Sequence, residues 1–174
     1  QWQMRPYKTL DDVFEQVEFF VDAVSDYKSD FVLFPEYFNA PLMAKFNHLG
    51  EAQSIRGLAQ YTEEIRERFV NLAISYNINI ITGSMPLLKE DGALYNVGYL
   101  IRRDGSYEMY EKVHVTPDEQ KSWGLSGGKM VKTFDTDCAR IGVLICYDVQ
   151  FPELSRIMAD QGMQILFVPF LTDT

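Results

Sequence analysis

Three polar residues stand at or near the ends of apolar stretches that are typical of buried strands. Glu36 closes the stretch FVLFPE (residues 31–36), Cys146 closes IGVLIC (residues 141–146), and Lys112 lies in the alternating stretch YEKVH (residues 110–114). In α/β sheets, functional groups gather at the carboxyl ends of strands, where the connecting loops meet. A carboxylate, an ammonium and a thiol are therefore candidates for one shared site.

These three groups have complementary uses in nucleophilic catalysis. The Glu36 carboxylate can accept the thiol proton and so activate Cys146. The Lys112 ammonium is expected to lower the pKa of the Cys146 thiol and to face an oxyanion that forms during attack. Residues 142–153 predict a strand, the cysteine, a short turn and a helix, so a tight turn would make the N–H after the cysteine a second oxyanion donor.

Each of the three residues also has an ordinary structural interpretation. Free cysteine is among the most buried residue types, so Cys146 taken alone would be interpreted as a core thiol. Lysine is usually solvated, which would place Lys112 on an exposed strand edge. Glu36 could equally accept a hydrogen bond at a turn. Composition and periodicity therefore leave the catalytic and the structural interpretations open.

The remaining polar candidates are weaker. His114 shares a strand face with Lys112, so a Cys–His pair is an alternative, although a structural hydrogen-bonding role for His114 is favoured. His48 and His114 are too few to predict a metal site, and Cys138 lies beside a turn rather than in a ligand cluster. Asn96, on a strand, is a candidate for ordering the pocket, with a structural role at a turn as the alternative.

One glycine pair, Gly127-Gly128, also needs an interpretation. It lacks the strand–loop–helix context and the spacing of a phosphate cradle. The pair is therefore interpreted as a flexible loop, within the glycine-bearing loop predicted from Pro117 to Lys129.

The surrounding pattern predicts helices that alternate with buried strands. Thr9, Asp11 and Asp12 mark a helix start, and apolar residues at helical spacing continue to about Tyr27. A second helix starts at Thr62, after irregular or weakly helical structure in residues 40–60. A third is expected from Pro152 to near Gly162, because proline suits the first helical position.

The predicted strands are residues 31–34, 78–82, 94–102, 106–114, 131–135, 139–145 and 165–169. Arg103-Asp104-Gly105 joins the third and fourth of them as a hairpin, since an Asp-Gly pair between strands favours a tight turn. Helices alternating with buried strands indicate a mixed α/β fold in which helices cover the sheet.

The composition is that of a folded chain with one sizeable core. Of its 174 residues, 47% are hydrophobic, which suggests a single domain. The net charge of −9 disfavours a nucleic-acid partner, since such proteins usually carry a basic surface. No apolar run approaches the roughly 20 residues of a membrane span. Two cysteines do not make a disulfide framework, which favours a reducing, cytoplasmic setting.

Both ends of the sequence are expected to lie within a longer polypeptide. Gln1 is not an initiator methionine, and residues 1–4 alternate like the tail of a strand. Residues 165–174 predict a strand that stops at a loop. We expect the 174 residues on their own to expose apolar surface.

Three segments resemble the signature segments of the nitrilase, or carbon-nitrogen hydrolase, superfamily. They are FPEYF (residues 34–38), YEKVH (residues 110–114) and LICYDVQFPELSR (residues 144–156), in the order of that superfamily and across essentially the whole chain. The resemblance implies that Glu36 is the general base, Lys112 the oxyanion stabiliser and Cys146 the nucleophile. It also places the Tyr147 backbone N–H in the oxyanion hole. Glu119 matches a second, supporting glutamate that positions the lysine and the substrate, with Asp118 as its neighbouring alternative.

The same resemblance implies a fold and a reaction. The fold is an αββα sandwich, of which residues 1–174 form one incomplete carbon-nitrogen hydrolase domain. The reaction is hydrolysis of a non-peptide carbon–nitrogen bond through a cysteine thioester, without a metal or an organic cofactor. An amide is the first choice of substrate, and nitrile and carbamoyl substrates stay open.

Partners and rival functions follow from that resemblance as well. The implied partners are a small-molecule substrate and further copies of the same protein in a homo-oligomer. Residues 1–5 and 116–128 resemble a branch whose hydrolase follows an acetyltransferase-like domain. Two alternatives remain open: an acyltransferase that uses the same thioester, and a catalytically silent interaction module with this fold.

Overall fold

Two β-sheets and four α-helices make up residues 2–171, the part of the chain that the computed structural model describes. Gln1, expected in the tail of a strand, and residues 172–174, expected in a terminal loop, lie outside this part. The helices are α1 (Leu10–Asp26), α2 (Glu51–Leu58), α3 (Thr62–Ser75) and α4 (Pro152–Asp160). The strands are β1 (Phe31–Leu33), β2 (Asn79–Ile81), β3 (Met85–Leu88), β4 (Leu94–Ile101), β5 (Tyr107–Glu111), β6 (Leu125–Ser126), β7 (Thr133–Asp135), β8 (Arg140–Val143) and β9 (Ile165–Phe167).

Helix α1 begins at a capping box. The Thr9 side chain accepts a hydrogen bond from the Asp12 N–H (3.1 Å), and the Asp12 carboxylate accepts one from the Thr9 N–H (2.9 Å). This exchange satisfies two backbone donors that a helix start would otherwise leave free. The buried face contains Val13, Val17 and Val21, spaced by four residues. The helix predicted from Thr9 is therefore confirmed to within one residue at its end.

The larger sheet is mixed. Strands β1 and β2 are parallel, and β4 pairs antiparallel with β2, β3 and β5. Strands β4 and β5 form the predicted hairpin, in which Ile101 lies opposite Tyr107 and Gly105 takes the left-handed backbone of the turn, φ 86°. Strand β3 was not predicted. Its sequence, MPLL, contains Pro86, and a proline within a short run argues against a strand.

The smaller sheet has the order β7-β8-β9. Strand β7 pairs antiparallel with β8, and β9 pairs parallel with it. The parallel crossover from β8 to β9 runs through α4, as parallel neighbours require. Along β8 and the two residues after it, Ile141, Val143 and Ile145 face the larger sheet, whereas Leu144 packs against α4.

Three apolar clusters separate four layers. Helices α1 and α3 cover one face of the larger sheet, where Val17 and Ile80 belong to one cluster. On the opposite face, Ile81 shares a second cluster with Ile141 of the smaller sheet. Leu154 of α4 lies in the third cluster, on the outer face of the smaller sheet. Helix, sheet, sheet and helix in this order confirm the expected αββα sandwich.

Two regions are more regular than expected. Residues 40–60 contain a 3₁₀ segment, Ala40–Phe46, and the helix α2. The predicted loop after Pro117 contains a π-helical turn, Glu119–Trp123, followed by strand β6. Within residues 2–171, no helix is long and apolar enough to cross a bilayer.

Candidate active site

Glu36 is carried into the interior by the segment that leaves β1. This segment packs against Gly83, where no side chain would fit, since a Cβ at Gly83 would lie 2.0 Å from the Pro35 carbonyl oxygen. Tyr37 takes a left-handed backbone conformation, φ 49°, which turns the chain directly after the glutamate. Only 3% of Glu36 is exposed. The backbone conformation before and after Glu36 therefore determines where its side chain enters the interior.

Lys112 follows strand β5, and its N–H extends the ladder by donating to the Asn96 carbonyl (2.9 Å). Its side chain is 1% exposed. The Nζ atom donates to Glu36 Oε1 (2.8 Å) and to Glu119 Oε1 (2.9 Å). A buried ammonium needs partners of this kind because its removal from water is expensive. Lys112 is thus a buried bridge between two carboxylates and not a solvated edge residue.

The glycine pair is packed against the strand end that carries Lys112. The Gly128 N–H donates to the Lys112 carbonyl (2.7 Å). A Cβ at Gly127 would lie 2.4 Å from the Val113 carbonyl oxygen, and one at Gly128 would lie 2.6 Å from the Glu111 Cβ. Gly127-Gly128 lies in a loop, as predicted, and the two glycines permit a close backbone contact beneath Lys112.

Glu119 is held by a local clamp and by one distant tyrosine. Its Oε2 accepts the Thr116 N–H (2.7 Å), while the Glu119 N–H donates to Thr116 Oγ1 (3.2 Å). The Tyr37 hydroxyl donates to Glu119 Oε1 (3.0 Å). Burial, followed by the charges of Glu119 and Glu36, raises the pKa of Tyr37 well above its usual range, so this hydroxyl stays protonated. Asp118, the neighbouring candidate, is exposed.

Cys146 lies at a sharp elbow between β8 and a 3₁₀ turn, Cys146–Gln150. Its backbone is left-handed, φ 47°, and its N–H donates to the Pro169 carbonyl (2.9 Å). Such strain in a non-glycine residue persists only where the surroundings hold it. The first N–H groups of a helical turn have no partner within it. Within residues 2–171, no acceptor is found for the Tyr147 N–H.

The charges around the thiol favour its protonated form. Burial raises the pKa of Cys146 to about 11, together with the negative charge of Glu36 and a hydrogen bond between the two side chains. The positive charge of Lys112 lowers the pKa but offsets only part of this increase. The expected lowering of the pKa by the Lys112 ammonium is therefore present, but burial and Glu36 outweigh it.

Lys112 itself stays charged. Burial alone would lower the pKa of Lys112, but the charges of Glu36 and Glu119 and the hydrogen bonds to both carboxylates raise it overall. The lysine is therefore a permanent positive charge beside a neutral thiol.

A cavity of about 540 Å³ joins these groups. Glu36, Lys112, Glu119 and Cys146 all contribute to its wall. The other lining residues are Tyr37, Glu51, Thr116, Asp118, Ser122, Trp123 and Leu171. The Leu171 N–H donates to Glu36 Oε2 (3.3 Å), so the glutamate is contacted on both oxygens. The structure thus places the four candidate side chains around one space.

Two secondary candidates have defined positions. Asn96 Nδ2 donates to Glu36 Oε1 (3.0 Å), so Asn96 contacts the carboxylate from beyond the cavity wall, consistent with a role in ordering Glu36. The His114 Nδ1 lies 3.1 Å from Asp148 Oδ1, and the His114 ring stacks on Phe151 at 3.7 Å. The imidazole is engaged by these neighbours, in the structural role that was favoured for it.

Two residues around the site were not singled out from the sequence: Thr116 and Asp148. Asp148 lies inside a quoted signature segment, and Thr116 lies three residues before Glu119, the spacing of a capping box. That spacing was the signal that could have identified Thr116. Within residues 2–171, no group of three or more His, Cys, Asp or Glu side chains is arranged to hold a metal ion.

Comparison with known proteins gives a consistent family. Residues 2–174 match the family model described as carbon-nitrogen hydrolase. The chain is 44% identical over 173 residues to the Bacillus subtilis (strain 168) protein named "Probable hydrolase YhcX", covering 99% of this chain and 34% of that protein. It is 35% identical over 151 residues to the omega-amidase of Homo sapiens, covering 79% of this chain and 50% of the relative.

A solved structure shares the fold. The carbon-nitrogen hydrolase from Helicobacter pylori G27 superimposes with a TM-score of 0.84 at 22% identity, over 99% of this chain and 59% of that one. The chain thus spans between one third and two thirds of the length of these proteins. The match over residues 2–174 and the shared sandwich lead to one conclusion: the chain belongs to the carbon-nitrogen hydrolase family of the nitrilase superfamily.

Proposed function

We propose that the protein hydrolyses a non-peptide carbon–nitrogen bond, an amide in the first instance, through a thioester on Cys146. One observation carries the proposal: a buried Glu36–Lys112–Glu119 cluster shares a cavity with a cysteine at a strained elbow. A carboxylate, an ammonium and a thiol in one pocket are the groups that acyl transfer to a cysteine requires.

Glu36 starts the reaction as a general base. Because the pKa of Cys146 is about 11, the thiol is protonated at neutral pH and cannot attack as a preformed thiolate. Glu36 takes the thiol proton as the sulfur bonds to the substrate carbonyl carbon. The transfer moves the negative charge from the carboxylate to the substrate oxygen, so the pocket never holds a thiolate beside an ionised Glu36.

Lys112 and the Tyr147 N–H stabilise the charge that forms on the oxygen. We assign both donors to the oxyanion hole, and fixed donors of this kind are worth roughly 3–4 kcal/mol each in well-studied cases. Glu119 keeps the Lys112 ammonium in position through its hydrogen bond of 2.9 Å. We assign Glu119 a supporting role on this ground.

The second half of the reaction returns the enzyme to its starting state. Protonated Glu36 gives its proton to the departing nitrogen as the carbon–nitrogen bond breaks, which leaves the acyl group on the Cys146 sulfur. Glu36 then removes a proton from water as the water oxygen attacks the thioester carbon. When the carbon–sulfur bond breaks, the sulfur takes that proton back and the acid leaves. No metal or organic cofactor enters these steps.

The omega-amidase of Homo sapiens supports an amide as the substrate class. An acyltransferase would use the same thioester and pass the acyl group to an amine or an alcohol. A screen of short amides and nitriles that measures ammonia, repeated with an added amine, separates these outcomes. Ammonia and free acid in equal amounts support hydrolysis, whereas an N-acyl product formed in preference to the acid supports transfer. If the full-length protein turned over no substrate in the screen, that result would support a catalytically silent interaction module.

The wider setting of the activity is also part of this proposal. We propose a homo-oligomer, because Phe19, Met130 and Phe170 expose between 56% and 71% of their surface. Light scattering of the purified protein measures its oligomeric state.

The proposal of an acetyltransferase-like domain upstream is based on the sequence resemblance alone. Cys138 and Cys146 are both free thiols, which supports a reducing compartment such as the cytoplasm.

A further inference from the structure

Asp148 is a buried carboxylate that the proposed reaction does not use. It is 1% exposed and lies two residues after Cys146, in the 3₁₀ turn. Its Oδ2 accepts the Val113 N–H (3.1 Å), and its Oδ1 accepts the His114 N–H (2.7 Å) and lies 3.1 Å from His114 Nδ1. Three contacts to residues far away in the sequence are unusual for an acid that only caps its own turn.

These contacts join the two chain segments that supply the oxyanion donors. Val113 and His114 directly follow Lys112, whose ammonium is one donor. Asp148 directly follows Tyr147, whose N–H is the other. The carboxylate therefore connects two segments about 35 residues apart at the point where both must face one oxygen atom.

His114 and Phe151 brace the same connection. The His114 ring stacks on Phe151 with an interplanar angle of 10°, and the Phe151 N–H donates to the Asp148 carbonyl (3.1 Å). Asp148 is thus held at its side chain by the segment after Lys112 and at its backbone by the end of its own turn. A carboxylate that accepts backbone N–H groups forms charge-assisted bonds, which are shorter and stronger than neutral ones.

We propose that Asp148 is a positioning residue that sets the distance between the Lys112 ammonium and the Tyr147 N–H, an inference that rests on the proposed function. Asp148 contacts neither the Cys146 sulfur nor Glu36 in any hydrogen bond of residues 2–171. Its removal should therefore weaken oxyanion stabilisation while leaving activation of the nucleophile intact.

The variant Asp148→Asn separates these two effects. The amide keeps the shape but loses the charge, and only one of its two polar atoms can accept an N–H. We expect kcat to fall about 10- to 100-fold with KM within about threefold, the pattern of an interaction made in the transition state. An aldehyde analogue of the substrate, whose carbonyl carbon adds the Cys146 sulfur to give a tetrahedral hemithioacetal with its oxygen in the oxyanion position, should bind more weakly by a similar factor. The rate of Cys146 alkylation by iodoacetamide should stay within about threefold of the wild-type rate, because the substitution leaves Glu36 unchanged.

Two further variants complete the test. Asp135→Asn is the matched control: it removes an exposed carboxylate that pairs with Arg140 (2.7 Å) outside the cavity and should leave every readout unchanged. His114→Phe keeps a ring that can stack on Phe151 and deletes the Nδ1 contact. We expect His114→Phe to lower kcat several-fold and to leave the rate of Cys146 alkylation unchanged. If Asp148→Asn does not fold, His114→Phe alone tests the positioning role of Asp148.

The outcomes are distinct. Wild-type kcat and aldehyde affinity in a folded Asp148→Asn protein would overturn this inference alone. A parallel loss of alkylation and kcat would also overturn it, since that would show a collapsed site and not misplaced donors. A wild-type protein that neither turns over amides nor binds the aldehyde would overturn the proposed function, and this inference with it.

Discussion

The carboxylate of Glu36 lies 2.8 Å from the ammonium of Lys112, and both side chains are at least 96% buried. A buried ion pair adds little stability compared with apolar packing, but loss of one partner leaves an unpaired charge in the interior. The pair is therefore better explained by a role in the proposed reaction than by a contribution to stability. In the proposed reaction the pair keeps a base and a positive charge side by side, on the wall of the cavity that also contains Cys146.

Lys112→Met tests this relationship through stability. The substitution leaves Glu36 and Glu119 buried without their common partner, and we expect the free energy of unfolding to fall by about 3–5 kcal/mol. Urea denaturation measures the change. Lys132→Met is the matched control, since Lys132 pairs with Glu108 at the surface, where both side chains are 40% exposed. That control should cost less than about 1 kcal/mol, and an equal loss in the two variants would contradict a buried role for Lys112.

Glu36→Gln should move the thiol pKa and the turnover rate in opposite directions. The charge of Glu36 and its hydrogen bond raise the pKa of Cys146, so the neutral amide should lower that pKa from about 11 toward its ordinary value. Turnover should nevertheless fall by at least about 100-fold, because the general base is gone.

The pH dependence of iodoacetamide alkylation, read on the Cys146 peptide, measures the thiol pKa in the wild type and in Glu36→Gln. Cys138 in the same digest serves as the internal control, because it is exposed. A thiol pKa that rises in Glu36→Gln would contradict the charge arrangement described above.

Stability should decrease at high pH because of Cys146. The thiol pKa is raised in the folded protein, so the unfolded chain loses this proton first as the pH increases. The contribution is fully present below pH 9, the ordinary thiol value, and is lost as the pH rises toward about 11. Cys146→Ser has no group that titrates there, so its melting temperature should decline less steeply between pH 9 and 11. Parallel curves for the two proteins would contradict a raised pKa.

Gly128→Ala tests the close backbone contact beneath Lys112. A Cβ at this position would lie 2.6 Å from the Glu111 Cβ, so the loop must shift, and with it the Gly128 N–H that donates to the Lys112 carbonyl. We expect a loss of about 1–3 kcal/mol in unfolding free energy, typical of forced overpacking, together with a lower kcat. Gly50→Ala is the control, since nothing lies within 4 Å of its Cβ position. Unchanged stability and kcat in Gly128→Ala would show that the contact has no role.

Glu36 and Cys146 could be selected as candidates because each ends an apolar stretch, which is a local pattern, and the resemblance to the signature segments assigned roles to them and to Lys112. Strand β3 was missed for an equally local reason, the proline at position 86. Asp148 and Gly128 could not be recognised as supports, since their partners lie 34 and 16 residues away, and no periodicity links such positions. The net increase in the thiol pKa could not be predicted, because it depends on burial and on the position of Glu36, neither of which composition reveals.

The most direct measurement is the mass of the Cys146 peptide after acid quench during turnover of a short amide. The account predicts an acyl group on Cys146, added with loss of the amine, and no such group on Cys138. It also predicts that Cys146→Ala neither forms the adduct nor releases ammonia. Ammonia release by Cys146→Ala at the wild-type rate, or an acyl group found on Cys138 in place of Cys146, would contradict it.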